Sequence, residues 1–396
     1  MRILPAPHAG VEASGRRNAP QQEGGTEMEG RQFGPFETGE LFGCPRDVLD
    51  LAGELIRCPT VAGREWLIGE ILARELTEAG CSLSWQKVTG AGGKNLLASR
   101  GSGGPLFVTH VDVYPAYGHP DPFASEVRDG YFIGRGAVDT KGQIAALLSG
   151  LKQTEEPVQI AFVVDEEGLG RGSEELEPPS PVTGAVVLEP TGLKLAPAEA
   201  GSIGLQLRFT GREAHGAMPW AGESAVDTAM SHYHRLRELP FTRHGHKLFP
   251  FGGWVNLGRI EGGSDTMLVP PRCIMELEVG FAPGLEADTV AQQIYEALEV
   301  AESVHMEDIW EPWETDEQEA VIRELAIAAG RVRGSEPGMW GMPSWTDGAN
   351  LVRKGIPTVV FGAGDLAVAH TSEERMPLDQ LGELNRILIE FIRGGG

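Results

Sequence analysis

The sequence predicts an α/β protein with a mixed central sheet, interrupted by an inserted α+β unit. Three observations predict it. From about residue 45 to 190, short apolar β-rich runs alternate with amphipathic helical runs, the texture of a layered α/β domain. Over about 204–315 the order becomes β-α-β-β-α-β, the signature of a compact split-βαβ (ferredoxin-like) unit. Beyond about 316 the first texture resumes. The expected organisation is therefore a tail over 1–40, a first domain in two parts (41–203 and 316–396), and an insertion over 204–315. A length of 396 residues suits about two domains of roughly 100–200 residues each.

Each element follows from its pattern. Residues 1–40 are rich in Gly, Pro, Gln, Glu and Arg without apolar period and read as a disordered tail, with Met28 a second candidate start. Asp47 to Ile56 and Glu65 to Ala79 carry apolar residues at helical spacing. Pro105 to Val113, Val158 to Val164 and Gly184 to Leu188 read as buried strands, and Gly142 to Leu151 as a small-residue helix. In the insertion, Ile203 to Thr210, Trp254 to Ile260 and Arg272 to Phe281 are strand-like. Ala225 to Leu239 and Ala287 to Ala301 are helical. Gln318 to Ala329 then reads as a helix and Thr358 to Phe361 as a strand.

Composition narrows the function. With 33 Lys+Arg against 57 Asp+Glu, the formal net charge is −24, so the chain repels polyanions and anionic membrane surfaces. Nucleic acid and membrane partners are not expected; small cations, metals and neutral substrates remain open. No run approaches the ~18 apolar residues of a membrane span, and Arg16-Arg17 precedes polar residues rather than an apolar signal core. Cys44, Cys58, Cys81 and Cys273 are scattered without C-x-x-C spacing, as expected of reduced thiols in a cytoplasmic protein.

The residues with chemistry gather at strand ends. His110 and Asp112 are i and i+2 at the end of an apolar strand, so both point to one face. They read as a metal ligand with its orienting carboxylate or, as H-x-D alone favours, a loop histidine beside an unrelated acid. Asp139, between a Gly-rich turn and a helix, is placed either to bridge two divalent ions or to cap the helix, a cap being worth about 1 kcal/mol. Asp165-Glu166-Glu167 follows the strand 158–164, Glu189 follows 184–188, and His370 follows the turn after 358–361. Four apolar strands each ending in His or carboxylate are what a ligand site in an open α/β sheet requires. His232 and His234 share a helix without facing each other, and His244 and His246 form a loop pair. His215 is read as an oxyanion donor or as an ordinary loop histidine; spacing does not choose.

Seven stretches together resemble the M20 family of co-catalytic metallohydrolases: THVDVYP (109–115), DPF and DGYFIGRGAVDTKGQ (121–143), DEEGLGRGS (165–173), LEPTG (188–192), GREAHGAMP (211–219), TDGANL (346–351) and VVFGAGDLAVAHTSEE (359–374). They run in family order over about 45–396. The resemblance implies a zinc-hydrolase catalytic domain carrying an inserted lid and dimerisation domain. It implies two Zn²⁺ per subunit, with Co²⁺ or Mn²⁺ as substitutes, one held by His110, Asp139 and Glu189 and the other by Asp139, Glu167 and His370. Asp112 would orient His110, Glu166 would be the general base for the bridging water, and His215 would stabilise the oxyanion, often from the other subunit of a homodimer.

Two departures bear on substrate. Met267 precedes Leu268-Val269-Pro270 where relatives carry Asn, and Glu278-Val279-Gly280 stands where many carry Asp-x-Arg. The usual anion clamp is missing, with Arg259 or Arg272 as candidate replacements. Glu189, rather than Asp, resembles the deacylase side of the family. The expected function is deacylation of an N-acyl-amino acid. The rivals are a dipeptidase or carboxypeptidase acting on short peptides at the same site, and a catalytically silent metal-binding scaffold.

Overall fold

In the computed structural model, residues 40–298 and 301–394 are described. The tail expected over 1–40 thus lies outside the described residues up to position 39.

The described chain opens on a hairpin, β1 (Glu40–Leu41) with β2 (Cys44–Pro45), and runs into α1 (Arg46–Ile56). The helix expected over 65–79 divides into a 3-10 turn, Glu65–Ile68, and α2 (Gly69–Glu78). The division falls at Gly69, where a Cβ would sit 3.0 Å from the Trp85 ring. There follow β3 (Ser82–Lys87), β4 (Lys94–Arg100), β5 (Leu106–His110), the hairpin β6 (Glu126–Arg128) and β7 (Tyr131–Ile133), α3 (Lys141–Leu151), β8 (Val158–Val163), the short α4 (Arg171–Glu174), β9 (Ala185–Val187) and β10 (Leu195–Glu199).

The insertion contributes β11 (Gly201–Thr210), α5 (Ala225–Leu236), β12 (Trp254–Gly262), β13 (Arg272–Phe281), α6 (Ala287–Ala297) and β14 (Ser303–Trp310). The helix expected to reach Leu239 stops at Leu236, because Leu239 precedes Pro240 and is held extended. The chain then returns through β15 (Trp313–Glu314), α7 (Ala320–Arg333), β16 (Met339–Met342), α8 (Gly348–Arg353), β17 (Thr358–Val360), β18 (Arg375–Pro377) and α9 (Leu378–Gly394).

The main sheet is mixed, in the order β15-β10-β17-β9-β5-β8-β4-β3, with β16 parallel to β10. Its centre, β17-β9-β5-β8, is parallel throughout, with Val360 opposite Val187, Leu106 opposite Ala185 and His110 opposite Val163. A parallel centre must be covered on both faces, and β5 and β8 are buried at every residue. α1, α3, α7 and α9 supply much of the core on one face, with Phe107 meeting Phe391 edge-on at 6.0 Å. Trp313, Met342 and Leu351 pack into a second core with Leu106 and Val108. β18, β7 and β6 form a small sheet of their own.

The insertion holds a separate antiparallel sheet, β12-β13-β11-β14, as the split-βαβ order requires. Ile203, Leu205, Leu207 and Phe209 alternate inward and meet Met275, Leu277, Val279 and Phe281 beneath α5 and α6. Gln206, Glu276 and Glu278 fall on the opposite face of the strands.

Candidate metal centre

Because β17, β9, β5 and β8 are adjacent and parallel, their carboxyl ends open at one edge of the sheet. His110 is the last residue of β5, Glu166 and Glu167 follow β8, Glu189 follows β9, and His370 lies in the turns after β17. Asp139 reaches the same edge from the turn before α3. Thr140 Oγ1 donates to His110 O at 2.9 Å and receives Thr109 Oγ1 at 2.7 Å, tying that turn to β5. Asp139 does not cap α3: the cap residue is Thr140, and its side chain makes no capping bond. The Asp139 carboxylate is engaged elsewhere.

Its two oxygens are divided between two imidazoles. Asp139 Oδ1 lies 2.8 Å from His110 Nε2, and Oδ2 lies 3.2 Å from His370 Nε2. Glu189 Oε1 is 3.3 Å from His110 Nε2, and Glu167 Oε2 is 3.2 Å from His370 Nε2. Two three-residue sets result, His110–Asp139–Glu189 and Asp139–Glu167–His370, each with its donor atoms within 4.8 Å of one another. Glu166 stands just outside both, its Oε2 4.0 Å from His110 Nε2, and it joins a further set with His110 and Glu167. Glu167 Oε1 and Glu189 Oε1 are buried without a hydrogen-bond partner. Buried polar atoms are ordinarily satisfied, so these two mark where a cation fits.

The electrostatics say the same. Burial and the neighbouring Asp139 charge push Glu167 up, opposed by His370. Burial drives Glu189 up to about 8, against the pull of His110. Burial likewise lifts Glu166 well above the carboxylate range; His110 opposes it, while Glu189, Glu167 and Asp347 add to it. For Asp139 the bonds to both imidazoles outweigh burial and hold its carboxyl low. Burial would lower His370, but its contacts with Asp139 and Glu167 raise it to about 10. In His110, too, surrounding acids outweigh burial and raise it. So many acids around two imidazoles form a site for positive charge.

β5 ends at His110, and Asp112 follows it in the turn beyond the strand, with its carboxylate still against the imidazole. His110 Nδ1 lies 3.0 Å from the backbone oxygen of Asp112 and 3.7 Å from its carboxylate. That carboxylate also accepts the N–H groups of Glu166 at 3.4 Å and Glu167 at 3.0 Å. It thus anchors the turn that presents both glutamates. That turn also holds Asp165 at φ +66°, and His370 sits at φ +63°, a left-handed backbone that costs a non-glycine residue about 1–2 kcal/mol.

His215 stands apart from this cluster. It forms a bridge with Leu268, and its Nδ1 accepts the Ala217 N–H at 3.1 Å. His232 and His234 lie on α5, and His244 and His246 in the loop before β12. Arg259 is occupied by Glu276 at 2.9 Å and Glu261 at 2.6 Å.

The structure adds residues that spacing did not single out. Tyr114 stacks on His370 with ring centroids 4.0 Å apart and planes 7° from parallel. Arg135 and Glu374 form a buried ion pair beneath the Asp139 turn. Asp347 and Glu199 are fully buried carboxylates, and Thr346 Oγ1 donates to Glu199 at 2.5 Å. Tyr114, Arg135, Glu374 and Asp347 all lie inside the seven quoted stretches, the one signal that pointed to them.

Residues 106–394 match the profile of Peptidase family M20/M25/M40, a span containing every ligand-type residue above. The chain belongs to this family. Among similar proteins is a "Probable carboxypeptidase" of Aspergillus terreus, 29% identical over 362 residues, covering 83% of this chain and 82% of the relative. An "Acetylornithine deacetylase" of Myxococcus xanthus is 30% identical over 356 residues, covering 80% of this chain and 89% of the relative. A crystal structure of a tripeptidase from Staphylococcus aureus superposes with a TM-score of 0.71 at 22% identity, covering 88% of this chain and 97% of that one. The last likeness shows the shared M20 fold, a mixed catalytic sheet with a separate small antiparallel lid sheet. The protein is therefore an M20 metallohydrolase. Membership implies metal ions, and the buried His, Asp and Glu groups are where they fit.

Proposed function

We propose that this M20 enzyme is a co-catalytic di-zinc amidohydrolase that removes the acyl group from an N-acyl-amino acid, with Glu166 as general base. The observation that carries the reading is Asp139, whose oxygens face His110 at 2.8 Å and His370 at 3.2 Å. The donor set is wholly imidazole and carboxylate, which suits Zn²⁺, with Co²⁺ and Mn²⁺ as substitutes. His110, Asp139 and Glu189 would hold one ion and Asp139, Glu167 and His370 the other. Ions bound there would polarise the scissile carbonyl and acidify the attacking water.

The protein's own groups do the rest. Glu166 belongs to neither Asp139-containing set, so its carboxylate is free to take a proton at Oε2 and deliver it to the leaving nitrogen. Burial makes that carboxylate a stronger base than a solvated one. Asp112 holds the Glu166–Glu167 turn in place through its two N–H bonds. His215, distant in its contacts from the cluster, would serve as oxyanion donor to the other subunit of a homodimer.

A second reading, hydrolysis of short peptides as a carboxypeptidase or dipeptidase, is favoured by the several relatives named as probable carboxypeptidases. A panel of N-acetyl-amino acids, N-succinyl-amino acids and dipeptides, run on zinc-replete protein, separates the two. Preferred turnover of N-acyl substrates supports the deacylase; preferred turnover of dipeptides supports the rival. Less than about one zinc per chain, with no hydrolysis restored by Zn²⁺ or Co²⁺, would reject both in favour of a silent scaffold.

A further inference from the structure

On the lid sheet, the position where the resemblance leads one to expect an arginine is Gly280, and an indole covers it. Trp254 lies opposite Gly280 across β12 and β13, and a Cβ on Gly280 would come within 2.0 Å of the indole. No arginine fits there while Trp254 does. Arg259 is held by two glutamates, and Arg272 begins β13, eight residues from Gly280 and so roughly 26 Å away along an extended strand.

What faces the catalytic domain instead is acidic and aromatic. A cavity of about 170 Å³ is lined by Gly168 and Leu169 of the turn after Glu167, by Trp345, and by Glu278, Asp308 and Trp310 of the lid strands. Asp308 is aimed there by a bulge in β14 opposite Ser202–Gly204, where its φ is +49°. The Trp310 and Trp345 rings sit 4.7 Å apart at 43°, offering π-faces. Among the described residues, neither Glu278 nor Asp308 has an ion-pair partner within 4 Å. Glu278 remains open to solvent at the cavity mouth. The cavity adjoins the metal centre through Gly168, the residue directly after Glu167.

We propose that this cavity is a subsite for a cationic group of the substrate, an ammonium or guanidinium held by Glu278 and Asp308 against the two indoles. Its volume suits the end of a basic side chain, about five or six waters at ~30 Å³ each. The net charge of −24 steers such substrates toward the protein. The inference rests on the hydrolase reading above and names the substrate class for it.

The test compares Nα-acetyl-lysine, Nα-acetyl-norleucine and Nα-acetyl-glutamate on zinc-replete enzyme. Expected is a kcat/KM at least about tenfold higher for the cation than for the neutral analogue, with the anion poorest and the gap shrinking as salt is added. E278Q should bring the cation-to-neutral ratio toward one, chiefly through KM, and E278K should favour the anion. Equal kcat/KM for lysine and norleucine substrates, or a ratio unmoved by E278Q, overturns the subsite. A separate NMR titration with n-butylammonium reads it without turnover. Weaker binding to E278Q than to wild type upholds the subsite even if no panel member is hydrolysed, in which case only the hydrolase reading falls. Equal binding to both overturns it.

Discussion

Arg135 and Glu374, 239 positions apart, meet in a buried ion pair at 2.5 Å that joins the two turns carrying Asp139 and His370. Glu374 Oε1 accepts the N–H groups of Val138 at 3.1 Å and Asp139 at 3.3 Å. Arg135 Nη2 donates to the backbone oxygens of His370 at 3.0 Å and Thr371 at 3.2 Å. Burial lifts Glu374 to about 7, with Asp139 adding to the rise; the guanidinium and the backbone N–H groups limit it. One pair thus sets the separation of Asp139 and His370.

Breaking that pair from either side should therefore be costly. Glu374→Gln or Arg135→Met leaves a buried charge without its partner and should remove about 3–5 kcal/mol of stability. Both should also weaken metal retention at the His370 side. Denaturant titration and zinc content after dialysis check this, and the double variant should lose less than the sum of the singles.

Glu166→Gln should cost about 10²–10⁴-fold in kcat while two zinc ions stay bound, since general-base contributions are of that size. Glu167→Gln should instead lower zinc content. Stoichiometry and turnover measured on the same samples distinguish the roles; unchanged turnover in Glu166→Gln would remove it as the base.

Chelation should destabilise the fold, because Asp139, Glu166, Glu167 and Glu189 are then left together without a neutralising cation. At zinc concentrations 100-fold above Kd, binding contributes about 2.7 kcal/mol. Differential scanning calorimetry should show Tm falling with chelator and returning with Zn²⁺. A Tm indifferent to both would argue against a filled buried site.

Asp347 gives a pH signature. Burial raises its carboxyl from the ordinary 3.8 to about 6, opposed by Ser173, His110 and Lys354 and reinforced by Asp112. Below about 3.8 it is neutral in both folded and unfolded chains and costs nothing. As pH rises toward 6 the unfolded chain releases the proton first, so the folded state loses stability, and above 6 the loss is complete. Two pKa units correspond to about 3 kcal/mol at most. In metal-free protein, Asp347→Asn should gain stability relative to wild type at pH 7 but not at pH 4, as read by urea unfolding at both.

Gly280→Ala should destabilise the lid by about 1–3 kcal/mol through its clash with Trp254. Adding Trp254→Ala should relieve that clash, so thermal melts of the single and double variants would show non-additivity.

Much of this was legible along the chain. Apolar runs of period two and 3.6 marked most of the strands and helices, because burial of one face imposes that period whatever the partner. The strand-end residues His110, Glu166, Glu167, Glu189 and His370 were visible because parallel strands deliver their carboxyl ends to one edge. Element ends were less so. The strand at His110 stops two residues before the expected Asp112, and the helix at Gly69 begins only after a 3-10 turn, beside the Trp85 ring.

By itself the sequence determined the fold class, the family and which residue types gather at the sheet edge. Only the tertiary structure decided which atoms meet: one oxygen of Asp139 for each imidazole, the Asp112 carboxylate on the Glu166–Glu167 turn rather than closest to His110, and Trp254 over Gly280. The reason is range. Periodicity records whether a side chain faces core or solvent, a property of each strand or helix alone. Hydrogen bonds, ion pairs and steric exclusion depend on distances of about 3 Å between segments that can be more than two hundred residues apart, and only the packed chain sets those.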